Sequence, residues 1–501
     1  DLKDNNLTLK DKNLSLEGKN FDLQDQIRLL HNALYGKKSE RIIADGKQPE
    51  LGLDIEAVSS EAVETERIEY ERKKKRQGLK LNRLSWPEDL EVVEVEVGDM
   101  QAGKVCSDTG EQLVFIRAEI TDKLALRPEQ YFIRREKRGV YANINSPQRA
   151  IYTEPAPDLP IRNCRVDVSV HASILIDKFV YYMTCYRLEE KFNSAGVSIQ
   201  RQTMYGWIRQ IGEALELLYQ EIFKRIIQSE RMFTDATGLK YLTKGEGSKS
   251  GFVYVYIGGE SEGKDPPYIC YQFAESKHHY HTDKILNEFK GILHSDCEQR
   301  YENEAKRDDV TWQLCLAHAR RRFFESGHPG ADAILQLFQN IFMNEREAWK
   351  MTAEERLSFR REKQAPLMKT LYQLVTDGVE NAPLVPSAKY KDALMYMYKR
   401  KPHFENFLHD PSIVIDNNIS ERAMKNLVIG RKNWLFLGNK DSGKSTMILL
   451  SIIQTARKAG VNLQDYLEDV LRRIMSHPAN RIHELLPDEW AKIRNEKNTQ
   501  N

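Results

Sequence analysis

The sequence predicts a multidomain α+β protein. Three features carry this: a length beyond one core, runs of alternating polarity that give way to helical periodicity, and acids placed at strand and helix boundaries. With 501 residues, several folding units are expected. The 41% hydrophobic and 30% charged residues fit a globular chain, and no apolar run approaches the roughly 20 residues that span a bilayer. Six cysteines without paired spacing (Cys106, Cys164, Cys185, Cys270, Cys297 and Cys315) suit a reducing compartment, so a cytoplasmic protein with no membrane partner is expected. Lysine plus arginine (75) nearly balance aspartate plus glutamate (74), so any nucleic-acid surface must be local.

Residues 1–45 place leucine at every seventh position (Leu2, Leu9, Leu16, Leu23, Leu30), which predicts a coiled coil and a homodimer or higher assembly. Asn6, Asn13 and Asn20 occupy the other seam, where they cost stability and select register. A solitary amphipathic helix is the alternative, and Gly18 weakens both. Residues 46–85 read as a basic linker whose run Arg72, Lys73, Lys74, Lys75 and Arg76 is either a solvated tether or a phosphate contact. Residues 86–161, with the alternation of Glu91 to Val97, predict a small β-rich module. Residues 162–225 carry a helix-turn-helix pattern: Gly196 sits where the turn needs a positive φ, and a second helix starts near Gln200. Its candidate DNA-binding side chains are Gln200, Arg201, Gln202, Thr203, Tyr205 and Arg209.

Residues 226–323 begin with a strand holding Asp235, followed by strand-like runs from Gly251 to Gly258 and from Pro267 to Phe273. A helical piece precedes Gly291 to Asp296, an apolar strand ending on a carboxylate, and Val310 to Ser326 forms a further strand-to-helix unit. Three antiparallel strands, a helix, then more strands and helices is the order of an RNase H-like core, in which acids from the first and fourth strands meet. Residues 324–410 form a helical insertion. Residues 411–458 complete the core with a helix carrying Glu421, and 459–501 form a helical tail. Three gathered acids repel one another unless hard cations share the site, so Asp235, Asp296 and Glu421 are candidate ligands of divalent ions. Two such ions activate a water or 3′ hydroxyl and stabilise the leaving oxygen of a phosphodiester.

The blocks Ile415-Asp-Asn-Asn-Ile-Ser-Glu-Arg-Ala423, Ile429-Gly-Arg-Lys-Asn-Trp-Leu-Phe436 and Cys315-Leu-Ala-His-Ala-Arg-Arg-Arg-Phe323 closely resemble signatures of the insertion-sequence-66 family of DDE transposases. The likeness extends to Tyr35-Gly-Lys-Lys-Ser-Glu-Arg41 and to the tail from Asp465 to Ile474. It implies an RNase H-like core and an Asp-Asp-Glu triad with two Mg2+ or Mn2+ ions. It also implies recognition of double-stranded DNA at terminal repeats and target, accessory proteins of the same element, and a bacterial, nucleoid-associated location. Around the triad, Arg320, Arg321, Asn417, Arg422, Lys425, Arg431 and Lys432 are candidate DNA contacts. His318 is expected to be structural.

Two positions depart from the family. Where members carry a Cys-x-x-Cys finger, Val105 to Glu111 keeps only Cys106, so no structural zinc is expected. Ala236 stands where members usually have a second carboxylate after the first catalytic one. One rival motif remains: Gly438-Asn-Lys-Asp-Ser-Gly443-Lys444-Ser445 fits a phosphate-binding loop of an ATP-binding protein, with too little chain after it for the remaining β-α units. In the transposase reading Lys440 and Lys444 become DNA contacts instead. A catalytically inert DNA-binding regulator is the other alternative.

Overall fold

The computed structural model describes residues 90–500 except 99–102, 106–108, 128–129, 143–150, 261–262, 264, 277, 279 and 382–386. The leucine repeat, the cations from Arg72 to Arg76 and Cys106 lie outside the described residues.

The alternating segment at the start of the described chain forms a five-stranded sheet: β1 (Val92–Val97), β2 (Lys104–Val105), β3 (Gln112–Arg127), β4 (Gln130–Ala142) and β5 (Ile151–Thr153). The β3–β4 hairpin is its backbone, with longer strands than the sequence pattern indicated, and β1 pairs in parallel with β4. Asp167 joins this sheet to the helices. It caps α1 (Val168–Phe179) through the Ser169 amide and accepts from Arg134 and, 305 positions along the chain, Arg472.

The helix-turn-helix is present. Thr184 caps α2 (Cys185–Ser194), Gly196 takes φ 75° in the turn, and α3 (Arg201–Ala214) follows, with Val197, Ile199 and Met204 buried between the helices. The left-handed turn favours glycine because a Cβ there would clash. Next, α4 (Glu216–Ile227) leads into the second sheet.

That sheet holds β6 (Arg231–Thr243), β7 (Gly247–Gly258), β8 (Tyr268–Ala274), β9 (Gly291–Ser295) and β10 (Val310–Leu314), with α5 (Tyr280–Leu286) between β8 and β9. Their spatial order is β10-β9-β6-β7-β8; β6, β7 and β8 are antiparallel, while β9 runs parallel to both β6 and β10. After α6 (Leu316–Ser326) come five helices: α7 (Asp332–Ala348), α8 (Ala353–Phe359), α9 (Ala365–Glu380), α10 (Ala388–Tyr398) and α11 (Lys401–Glu405). A π-helical turn, Arg360–Gln364, joins α8 to α9.

The chain then returns to the sheet through α12 (Asn418–Trp434), α13 (Lys440–Lys458), α14 (Leu463–Arg473) and α15 (Pro487–Gln500). Being apolar on nearly every side from Met447 to Ala456, α13 is buried against edge strand β8. Its Ser451 hydroxyl accepts from the Tyr271 amide at 2.8 Å, and Thr455 both accepts from the Ile269 amide (3.1 Å) and donates to the Ile269 carbonyl (3.0 Å). Among the described residues, no helix is long and apolar enough to cross a membrane.

Two parts of this architecture differ from the sequence reading. The run from Trp434 to Leu437 is not a strand: Trp434 ends α12, and only Leu437 touches the sheet, bridging to Tyr241. The segment Gly438–Ser445 is no phosphate loop either, because the helix already starts at Lys440. The Asn439 side chain takes the Ser442 amide, the Gly443 amide bonds the Asn439 carbonyl, and Lys440 and Lys444 pair with Glu275 (2.5 Å) and Glu216 (2.7 Å). Those amides are spent inside the protein, while the two lysines form exposed, exchangeable pairs.

Candidate active site

Register brings the first two acids together. Phe233 on β6 lies opposite His294 on β9 in a parallel pair, so two residues further along each chain Asp235 and Asp296 stand side by side. Asp235 is mid-strand, with Val255 of β7 on its other flank, whereas Asp296 immediately follows the last residue of β9.

Glu421 arrives through backbone and side-chain ties. The Val414 amide donates to His294 Nε2 (3.2 Å), the Ile415 carbonyl accepts from the Leu316 amide (2.9 Å), and the Asn417 amide donates to Cys315 Sγ (3.2 Å). Asn417 Nδ2 then donates to the carbonyl of Thr234, the residue before Asp235, at 2.8 Å. The start of α12 is thereby fixed over β6, with Glu421 in its first turn. His294 acts here as a neutral acceptor: burial, aided by the nearby Arg231 charge, lowers its pKa to about 3, and its ring stacks on Phe233 with centroids 4.2 Å apart.

Upstream of these ties is a buried clasp. Arg360, fully buried, pairs with Glu345 and donates to the carbonyls of Phe407 (3.0 Å), Asp410 (2.9 Å) and Ile413 (2.8 Å). Gln364 reaches the same Glu345 at 3.2 Å. The insertion thus holds the segment that delivers Glu421.

The acids sense one another. Burial first, then the charge of Asp296 and, more weakly, that of Glu421 push the Asp235 carboxyl up to about 7; the Ala236 amide and the buried Arg300 oppose the rise. Glu421 faces His318 Nε2 at 3.5 Å and Arg321 at 3.6 Å, and its Oε1 is buried without a hydrogen bond. Among the described residues, no three His, Cys, Asp or Glu side chains already close on one metal position. The donors nearest the centre are carboxylate oxygens, the ligand type that hard divalent cations take.

The other predicted residues fall into separate groups. Arg422, Lys425 and Lys432 are exposed along one face of α12. Arg431 is tied to Thr237 and Gly238 of β6. Asn417, read as a DNA contact, is corrected: it is completely buried, and its amide is spent on Thr234. Arg320 is half-buried, 5.9 Å from the Phe324 ring, and Arg321 faces Glu421. On the helix-turn-helix Gln200, Arg201, Gln202, Tyr205 and Arg209 are exposed and Thr203 half-buried; Arg201 pairs with Glu189 and Arg209 with Glu213. Exposed pairs of this sort hold by under about 1 kcal/mol, so both arginines remain exchangeable.

The sequence reading missed Arg300, His294 and Arg360. Arg300 lies under the rings of Tyr254 (5.0 Å) and Tyr301 (5.7 Å); its place four residues after Asp296 was the only local signal.

A mixed sheet with paired acids at its centre and a third on a returning helix defines an α+β protein with a carboxylate-centred candidate site. Residues 163–445 match the family described as "Transposase IS66 family", 451–487 match "IS66 C-terminal element", and 22–95 match "Transposase C of IS166 homeodomain". The chain belongs to the IS66 transposase family. The homeodomain match covers the last two leucines of the repeat, Leu23 and Leu30, and the basic linker, upstream of the helix-turn-helix formed by α2 and α3. Similar proteins occur in Sinorhizobium fredii. "Uncharacterized protein y4hP" is 28% identical over 496 residues, 94% of this chain and 89% of that protein. "Uncharacterized protein y4qI" is 28% identical over 487 residues, covering 92% and 87%.

Proposed function

We propose that the chain is a DNA transposase that binds the ends of an insertion element and cuts and joins DNA strands by metal-dependent phosphoryl transfer. The observation that carries this reading is the register of Asp235 beside Asp296 with Glu421 tied over them. The strand order β10-β9-β6-β7-β8, with its antiparallel trio and two parallel strands, supports an RNase H-like core split into 226–323 and 411–458 by the insertion 324–410. Family membership supports DNA as the partner, and the family's name supports an acid triad using divalent ions.

Asp235, Asp296 and Glu421 would hold the Mg2+ or Mn2+ ions, which when bound supply charge for the developing oxyanions and lower the pKa of a bound nucleophile. The buried, unbonded Oε1 of Glu421 and the high pKa of Asp235 fit that role, since both leave carboxylate capacity that a cation satisfies. His318 and Arg321 orient Glu421, while Arg422, Lys425 and Lys432 grip phosphates beside it. A homodimer or higher assembly through residues 1–45, accessory proteins of the element, and a cytoplasmic, nucleoid-associated location complete the proposal.

The test is cleavage and strand transfer of labelled duplex carrying the terminal repeats, with Mg2+ or Mn2+. Wild type is compared with Asp235→Ala, Asp296→Ala and Glu421→Ala. We expect each substitution to abolish cleavage while end binding persists. Wild-type binding without cleavage, under conditions that include the element's other proteins, would sink the enzyme and favour a DNA-binding regulator.

A further inference from the structure

Between the second helix of the helix-turn-helix and the α12–α13 junction lies a cavity of about 550 Å3, lined by Lys178, Tyr205, Arg209, Trp434, Phe436 and Ser442 among others. Its size falls within the roughly 300–1,000 Å3 of small-ligand sites. Lys178 is only 6% exposed. Its ammonium sits 4.6 Å from the Trp434 ring centroid, 5.7 Å from Phe179 and 5.8 Å from Tyr205. Among the described residues no carboxylate pairs with it, and the ionisable group that offsets its burial is the Cys185 thiol. Ring faces attract a cation but leave its three N–H donors without acceptors, and a buried ammonium without an acceptor is costly. Burial accordingly depresses its pKa.

The surroundings indicate what would complete it. Tyr205 and Phe436 are 52% and 44% exposed, flat rings at a cavity that also presents a buried cation and the Ser442 hydroxyl. A nucleotide supplies both complements: a base to lie on the rings and a phosphate for the ammonium. Along α12, Trp434 is 13 residues from Glu421, about 20 Å at 1.5 Å per residue. Exposed Arg422, Lys425 and Lys432 lie between in sequence, so a strand leaving the acids along α12 would meet cations before the helix end where the cavity opens. That continuity favours DNA over a free nucleotide.

We propose that this cavity receives one nucleotide turned out of the bound DNA, its base against Tyr205, Trp434 and Phe436 and its phosphate on the Lys178 ammonium. The inference rests on the transposase reading above. Unstacking a base is uphill, so the receiving pocket must supply both ring contact and charge.

The experiment uses the full chain and terminal-repeat duplexes carrying 2-aminopurine at successive positions. Binding raises fluorescence at one position in the wild type. Lys178→Met lowers the turned-out fraction about tenfold while overall duplex affinity stays within about threefold, and Lys178→Arg keeps the signal. Should Lys178→Met lower the melting temperature, Phe436→Ala, at an exposed position outside the DNA contacts named above, provides the same comparison. A bound duplex with no rise at any position, or a rise that survives both substitutions, overturns the proposal and leaves the transposase reading standing. Failure to bind any duplex overturns the transposase reading itself. Saturable quenching of Trp emission by deoxyadenosine monophosphate, with no 2-aminopurine response in bound duplex, assigns the cavity to a free nucleotide and overturns the proposal as well.

Discussion

Arg360, fully buried, and Asp235, half-buried at the sheet centre, are both ionisable side chains withdrawn from water, and their surroundings are opposite. Arg360 has a carboxylate and three carbonyls around its guanidinium. Asp235 has two other acids as neighbours and an elevated pKa. The first arrangement is complete and holds a segment in place. The second is only partly compensated, by the Ala236 amide and the Arg300 charge, and such imbalance distinguishes a candidate site from a structural ion pair.

The contrast can be broken most severely at the clasp. Arg360→Met leaves Glu345 buried without its cation and three carbonyls without a donor, so a loss of about 3–5 kcal/mol is expected in urea unfolding. A loss below about 1 kcal/mol would show that the clasp is not what fixes the return to α12.

The acid cluster should respond in the other direction. Because folding raises the Asp235 pKa from 3.8 to about 7, the folded state binds this proton more tightly than the unfolded state. Stability from this group is then intact below pH 4 and falls as pH rises toward 7. Asp235→Asn should therefore stabilise the metal-free protein by roughly 1–3 kcal/mol at pH 8, the gain shrinking toward pH 4. Thermal melts of the two proteins across that range check the sign, and a gain independent of pH would refute the assignment.

Smaller still is the effect of the ions. Mn2+ should raise the wild-type melting temperature more at pH 8 than at pH 6, since the ion competes with the Asp235 proton, and should do so less in Asp235→Asn. Equal shifts in the two proteins would place the binding elsewhere.

Much of this was legible from the chain because the signals are local. The Asp235 strand, the apolar run ending at Asp296 and the glycine of the helix-turn-helix turn each announce themselves within about ten residues. The clasp was not, because Arg360 finds its carbonyls some fifty positions downstream and nothing in its own neighbourhood predicts them. Asn417 misled for a related reason: an amide beside a candidate acid looks available until the packing of Thr234 and Cys315 encloses it. The phosphate-loop pattern failed on timing, since Asn439 caps the helix before a loop can form.

The hydroxyls of Ser451 and Thr455 occupy the place where another strand would bond to β8. A sheet edge left open recruits further chains, so these two side chains act as a stopper against aggregation. All three candidate acids precede residue 440. A copy of the gene interrupted shortly after that point would still encode the whole acid cluster, yet its product would carry an unsealed edge and precipitate.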